Sequence, residues 1–168
     1  MEIREIKTSD AEKFIQLTYQ VEKNSKYMLW EAGERKIDSD KQLKIIDSFL
    51  QKENSTIFVV ENEKANLIGF LMAIGGNAKR NKHSIYIVIG ILEEYRGQGV
   101  GRKLYDRLDQ WAIQHKIRRI ELTVVAKNAA GLSLYRKMDF EIEGTKRDSL
   151  MIDGEFVDEY YMAKLLEI

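Results

Sequence analysis

Neither cysteine nor proline occurs anywhere in this chain. Without cysteine there is no disulfide, no thiolate metal site and no cysteine nucleophile. Imidazole is almost as scarce. His83 and His115 are the only histidines, which argues against a histidine-based zinc site and against a Ser-His-Asp triad. Excess charge of one sign is missing too. Lys+Arg and Asp+Glu stand at 27 each, so no bulk field favours nucleic acid or an anionic membrane. No apolar run approaches membrane-spanning length, and Met1-Glu2-Ile3-Arg4 starts as a strand rather than a signal peptide. These absences set the expectation of a soluble cytoplasmic protein that binds no metal, no nucleic acid and no membrane.

What is present suits one domain over residues 1–168, since 44% apolar content fills a single core at that length. Glu2 to Ile6 reads as a short strand. Thr8-Ser9-Asp10 offers caps for a helix ending near Asn24, with Glu12 as a capping-box partner of Ser9. Asp38-Ser39-Asp40 caps a second helix carrying Leu43, Ile46, Phe49 and Leu50 at helical spacing. Thr56 to Glu61 and Leu67 to Ile74 form a hairpin pattern, and Ser84 to Leu92 is apolar at nearly every position, as in a strand covered on both faces. A helix from about Gly99 to His115, a strand from Ile120 to Val125 and an amphipathic stretch opened by Asn128 follow. Phe140 to Glu143, Lys146 to Ile152 and Phe156 to Leu166 complete the strands, the last two joined by an Asp153-Gly154 turn that is a strong hairpin signal. Lys79, Arg80 and Lys82 read as a solvated hairpin tip.

Two stretches carry chemistry. Between the first two helices lies Tyr27-Met28-Leu29-Trp30-Glu31, with Glu34 just beyond. Tyr27, Trp30, Glu31 and Glu34 either line a substrate mouth or belong to a loop that closes over the core. The second stretch is Tyr95-Arg96-Gly97-Gln98-Gly99-Val100-Gly101-Arg102, between the apolar strand and the long helix. Its glycines let the backbone turn sharply and approach a ligand, and the unpaired N–H groups of a helix start prefer an anion. Arg96 and Arg102 add positive charge. Walker A needs Lys-Ser/Thr after its second glycine, and five positions on from Gly97 stands Arg102. The Rossmann fingerprint needs a third glycine at that same position 102. Both nucleotide cradles fail.

The stretch does spell [QR]-x-x-G-x-[GA] through Arg96, Gly99 and Gly101, and Asn128 opens the next helix with Tyr135 seven residues on, in the run Asn128-Ala129-Ala130-Gly131-Leu132-Ser133-Leu134-Tyr135. In these features, and in the order of its elements, the chain resembles the GNAT family of N-acetyltransferases. The resemblance implies an α/β single-domain GNAT fold: a mixed, mostly antiparallel central sheet of about seven strands, helices on both faces, and a splay between strands four and five. It implies acetyl-CoA as co-substrate, with pyrophosphate on the amides of Gly97, Gln98, Gly99, Val100, Gly101 and Arg102. The pantetheine arm would then lie along the main chain of Ile89, Gly90 and Ile91. Gly90 suits a bulge or close ligand approach, and equally tight packing against a helix. Asn128 is a helix cap whether or not it touches cofactor. In the family the residue matching Tyr135 protonates the leaving thiolate, a transfer open to a phenol of pKa about 10 facing a thiol near 8.5.

The general base is open. Some relatives carry Glu five residues before the Asn, where this chain has Thr123. Glu31, Glu34, Tyr86, Asp158, Glu159 and water remain. Without cysteine, transfer is expected to be direct in a ternary complex. The acceptor expected is a primary amine, with a small cationic molecule favoured over protein. The rival reading is a non-catalytic acyl-CoA-binding or regulatory module. Homodimers are common in the family, and no sequence feature here marks an interface.

Overall fold

The apolar and alternating runs become seven strands of one sheet, and the periodic stretches become four α-helices. The computed structural model describes residues 1–168. In chain order it contains β1 (Glu2–Glu5), α1 (Ala11–Lys23), α2 (Ser39–Leu50), β2 (Thr56–Glu61), β3 (Leu67–Gly75), β4 (Ser84–Ile91), α3 (Val100–Gln114), β5 (Arg119–Val125), α4 (Ala129–Lys137), β6 (Glu141–Ile152) and β7 (Glu155–Leu165). The sheet order is β1-β2-β3-β4-β5-β7-β6. No helix is long and apolar enough to cross a membrane.

Period-two alternation sorts the strands' side chains into two cores. Phe58 and Val60 of β2 face one side with Leu71, Ile85, Leu104, Leu108 and Trp111, under α3. Ile57 and Val59 face the other side with Phe14, Leu17, Val21, Ile46 and Phe70, under α1 and α2. The near-continuous apolar runs in the central strands are therefore strands covered on both faces. Asp153 and Gly154 both take positive φ, 52° and 78°, the backbone that a two-residue hairpin between β6 and β7 requires. β6 is one strand where the sequence suggested two short ones. Its register slips between Ile142 and Gly144 and again between Lys146 and Leu150, and those irregularities are what made the pattern look broken.

Only β4 and β5 pair in parallel, and they do so over three rungs: Ser84 with Arg119, Ile85 with Ile120 and Tyr86 with Glu121. Past Tyr86 they diverge. β4 stays paired with β3 as far as Ile91, and β5 with β7 as far as Val125. The sheet thus holds a wedge-shaped gap at its centre, the expected splay between strands four and five. Gly90 lies on this divergent part without a register shift, so there is no bulge. A Cβ there would stand 2.5 Å from Cε1 of Phe70 and 2.8 Å from Cγ1 of Val21. The glycine lets α1 sit down on β4.

The N-terminal strand is fastened by charge. The Arg4 guanidinium grips both oxygens of Asp10 at 2.8 and 3.0 Å and reaches Glu61 at 2.7 Å. The backbone N–H of Lys7 also donates to Asp10 at 2.8 Å. Asp10 is thereby spent on Arg4 and on the N–H of Lys7, closing the 3-10 turn Thr8–Asp10; its side chain does not cap α1, and the Ser9–Glu12 capping box does not form. The Arg4 guanidinium holds the buried Asp10 carboxyl below its ordinary range, against the opposing effect of burial.

Two stability outcomes follow from these contacts. Asp10 has a folded pKa below its unfolded value of about 3.9. Its contribution is therefore full above pH 4 or so and fades as pH falls through the folded value. Asp10→Ala should cost about 3 kcal/mol at neutral pH, as when one partner of a buried pair is removed. The deficit against wild type should shrink in acid, read by denaturant titration at a series of pH values. Gly90→Ala should cost about 1–3 kcal/mol through overpacking against Phe70 and Val21, read as a lower midpoint in the same titration at neutral pH.

Candidate active site

β4 leaves the sheet at Ile91, a single turn of 3-10 helix spans Glu93–Tyr95, and the chain swings through Gly97 and Gly99 into α3. Gly97 and Gly99 have φ of 71° and 78°, with open space where a Cβ would be. Glycine is needed there for the backbone angle, since other residues are strained at positive φ. The N–H groups of Gly97, Gln98, Gly99, Val100, Gly101 and Arg102 have no hydrogen-bond partner in the protein; the first satisfied one is Lys103 N–H, on the carbonyl of Gly99 at 3.1 Å. Six consecutive free amides at the start of a fifteen-residue helix form an anion cradle. They are the same six singled out in the sequence. Gly101 brings α3 close to α4, because a Cβ there would lie 3.2 Å from Cδ2 of Leu134.

Arg96 does something different from what its charge suggested. Its Nε donates to the carbonyl of Ile91 at 3.1 Å, and both terminal nitrogens reach the carbonyl of Asn24 at 3.5 Å. The guanidinium ties the turn to the C-terminal end of α1, which leaves the amides, the helix start and the exposed Arg102 to favour an anion. Gln98 similarly closes the turn on itself, donating to the carbonyl of Glu94 at 2.7 Å.

On the far side of the gap, Asn128 caps α4 by accepting from the N–H of Gly131 at 2.9 Å. A Cβ at Gly131 would fall 2.6 Å from Nδ2 of Asn128, so the glycine makes room for the cap. Two turns on, the Tyr135 ring stands edge-on to Tyr105 and Phe140, with centroids 6.2 and 6.1 Å apart. Burial pushes the Tyr135 hydroxyl up to about 12, with the neighbouring Tyr86 adding to the shift. The phenol therefore keeps its proton at neutral pH and has one to donate.

The opposite face of the sheet carries a cavity of about 620 Å³ on β5, β6 and β7. Polar walls come from Tyr86, Glu121, Thr123, Lys146, Glu159 and Tyr161. At its inner end the hydroxyls of Tyr86 and Thr123 are hydrogen-bonded at 2.8 Å, closing the gap just where strand pairing stops. Arg119 on the rim is neutralised by Glu121 at 2.7 Å and by a two-pronged contact with Glu143 at 2.9 and 2.5 Å. That grip holds the Glu143 carboxyl below its ordinary range. Lys146 makes no ion pair.

Of the aromatic loop, Leu29 is the one residue that lines this cavity. Tyr27 is half-buried beside it in sequence, and Trp30 lies under the Arg35 guanidinium at 5.8 Å. Arg35 in turn is ion-paired with the buried Glu22. Glu34 accepts from the N–H of Glu31 at 3.0 Å, so these two carboxylate-bearing residues shape the loop and stand in solvent. Among the other groups considered as a base, Asp158 accepts from the N–H of Asp148 at 2.8 Å, outside the cavity lining. Glu159 lines the cavity and takes the hydroxyl of Ser149. Sequence reading missed the β5 wall. Its signal was there: Arg119, Glu121 and Thr123 alternate with Ile120, Leu122 and Val124, so one face is polar and one is core.

The sequence model of the acetyltransferase (GNAT) family matches residues 16–140. An L-amino acid N-acetyltransferase of Escherichia coli strain K12 is 33% identical over 104 residues, covering 60% of this chain and 62% of that one. An acetyltransferase of Sodalis glossinidius is 28% identical over 99 residues, 59% of this chain and 64% of its own. The chain thus spans somewhat less than two thirds of these two relatives. A GNAT-family acetyltransferase structure from Streptococcus pneumoniae superposes with a TM-score of 0.94 at 24% identity, covering 99% of each chain. The structure of yncA from Salmonella typhimurium, solved with acetyl-CoA, has a TM-score of 0.87 at 17% identity, covering 100% of this chain and 95% of that one. The family match takes in the glycine turn, Asn128 and Tyr135 together, and the chain belongs to the acetyltransferase (GNAT) family.

Proposed function

We propose that the protein is an acetyl-CoA-dependent N-acetyltransferase that passes the acetyl group directly to a small primary amine in a ternary complex. The observation that carries this reading is the run of six free amides from Gly97 to Arg102, opening beside a gap in the sheet that ends at Tyr86 and Thr123. A pyrophosphate satisfies such amides, and the unpaired edge of β4 through Ile89, Gly90 and Ile91 offers main-chain partners to an extended arm. Acetyl-CoA would supply an acetyl group already activated as a thioester. Tyr135, protonated at neutral pH, holds the proton that a departing thiolate needs. The β4 edge contributes an N–H suited to polarising a carbonyl.

The cavity on the other face suits the acceptor. At about 620 Å³ it has the size of a small-molecule site. A specific observation favours an α-amino acid within the amine class. Lys146 is the cavity cation left without an ion pair, and a carboxylate on the acceptor would supply one. The E. coli relative is named for L-amino acids.

A panel of polyamines, L-amino acids, aminoglycosides and short peptides, assayed with acetyl-CoA by thiol release, tests the reading. Amine-dependent release with at least one small amine is expected. Tight acetyl-CoA binding with no release across the panel would establish the non-catalytic module instead. Tyr135→Phe should lower kcat about a hundredfold while leaving acetyl-CoA affinity within about twofold, the span of a lost general acid. Unchanged turnover would make Tyr135 a core residue only.

A further inference from the structure

The wedge between β4 and β5 has a closed tip, and its two faces are closed differently. The strands pair through Ser84–Arg119, Ile85–Ile120 and Tyr86–Glu121 and then part. On the α3 face, Ile85, Ile87, Ile120 and Leu122 are all buried, in one core with Leu104 and Leu108. On the other face the tip is bridged by one hydrogen bond. The hydroxyls of Tyr86 and Thr123 stand 2.8 Å apart, so Tyr86 reaches two residues past its rung partner Glu121. Each hydroxyl is the other's partner, and both side chains are half-buried. Both also line the cavity of about 620 Å³. The pair is therefore a partition, with the wedge on one side and the cavity on the other.

Building on the proposed use of acetyl-CoA, we propose that the Tyr86–Thr123 hydroxyl pair sets the length of acyl group that the protein accepts, admitting acetyl and turning longer chains away. An arm that enters at the glycine turn and follows β4 from Ile91 to Ile89 carries its acyl end toward Tyr86, because the tip lies at that end of the strand. A short acyl group ends before the tip. A longer tail has two ways onward. One leads to the α3 face, among Ile87, Ile120 and Leu122, which already belong to a filled core where added volume is unfavourable. The other passes between the hydroxyls and breaks their bond, leaving polar groups against hydrocarbon with no partner. A tail that did pass would enter the cavity where the acceptor is proposed to sit. The same pair thus fixes donor length and keeps donor and acceptor in separate compartments.

Calorimetric titration with CoA, acetyl-CoA and hexanoyl-CoA tests this without any turnover. Each acyl-CoA Kd is divided by the Kd of free CoA on the same protein, so a general loss of affinity in a variant cancels. In wild type the hexanoyl ratio should exceed the acetyl ratio by about tenfold or more, the scale of leaving a hydroxyl unsatisfied. Tyr86→Ala and Thr123→Ala each delete the bond and should bring the two ratios within about threefold of one another. A wild type whose two ratios already agree within about threefold overturns the proposal. So does a wild-type preference for acetyl that both variants retain. Should Tyr86→Ala fail to fold, Thr123→Ala opens the pair from β5 and decides alone. If wild type binds neither CoA nor acetyl-CoA, the acetyl-CoA reading fails first, and that result is distinct from a protein that binds both and ignores acyl length.

Discussion

The parallel contact between β4 and β5 extends for three rungs only, and the rest of the molecule is arranged around that brevity. A sheet gains stability from continuous pairing, so a gap at its centre has to be held open by other contacts. Here β4 is bound to β3 along its whole length and β5 to β7 along its own, which makes two rigid half-sheets joined at one end. α3 packs beneath the join through Leu104, Leu108 and Trp111. α1 locks β4 from the other face, close enough that position 90 admits no side chain. The unpaired strand edge is covered on both faces and open along one line, which lets it serve a ligand without acting as an adhesive sheet edge.

The gap also separates two kinds of electrostatics. On the α3 and α4 side the free groups are backbone amides, while the Arg96 guanidinium is directed to carbonyls of Ile91 and Asn24. An anion there would meet directional N–H groups already in place. On the cavity side the groups are side chains of both signs, and most are already matched: Arg119 with Glu121 and Glu143, Glu159 with Ser149. Lys146 and Tyr161 are the polar lining groups without a side-chain partner. Between the two regions stands Tyr135, whose proton is retained because charging it in that enclosed place is unfavourable.

The glycine turn with its free amides and the Asn128–Tyr135 helix were legible in the sequence, since each of these parts is local. A turn of positive φ demands glycine at 97 and 99, and a helix start exposes its amides whatever surrounds it. Asn128 and Tyr135 share one helix, so their spacing fixes their common face. Strand identities and the Asp153-Gly154 hairpin were local in the same sense. The capping box at Ser9 and Glu12 was a local reading that the structure displaced, because Thr8–Asp10 forms a 3-10 turn and α1 starts only at Ala11, which leaves Ser9 short of the cap position.

The cavity depends on strands distant in sequence. Thr123 meets Tyr86 across thirty-seven positions, and Lys146 and Glu159 are brought opposite one another by the register of β6 on β7. Nothing in the spacing of Tyr27, Trp30, Glu31 and Glu34 could say that Leu29 would be the loop residue to reach the cavity. The chain's order of residues determined the fold class, the anion cradle and the tyrosine beside it, through backbone angles and helical periodicity acting over a few residues. Which groups line the cavity was decided only in three dimensions, because strand register and the point where β4 and β5 part are properties of the packed sheet and of no single segment.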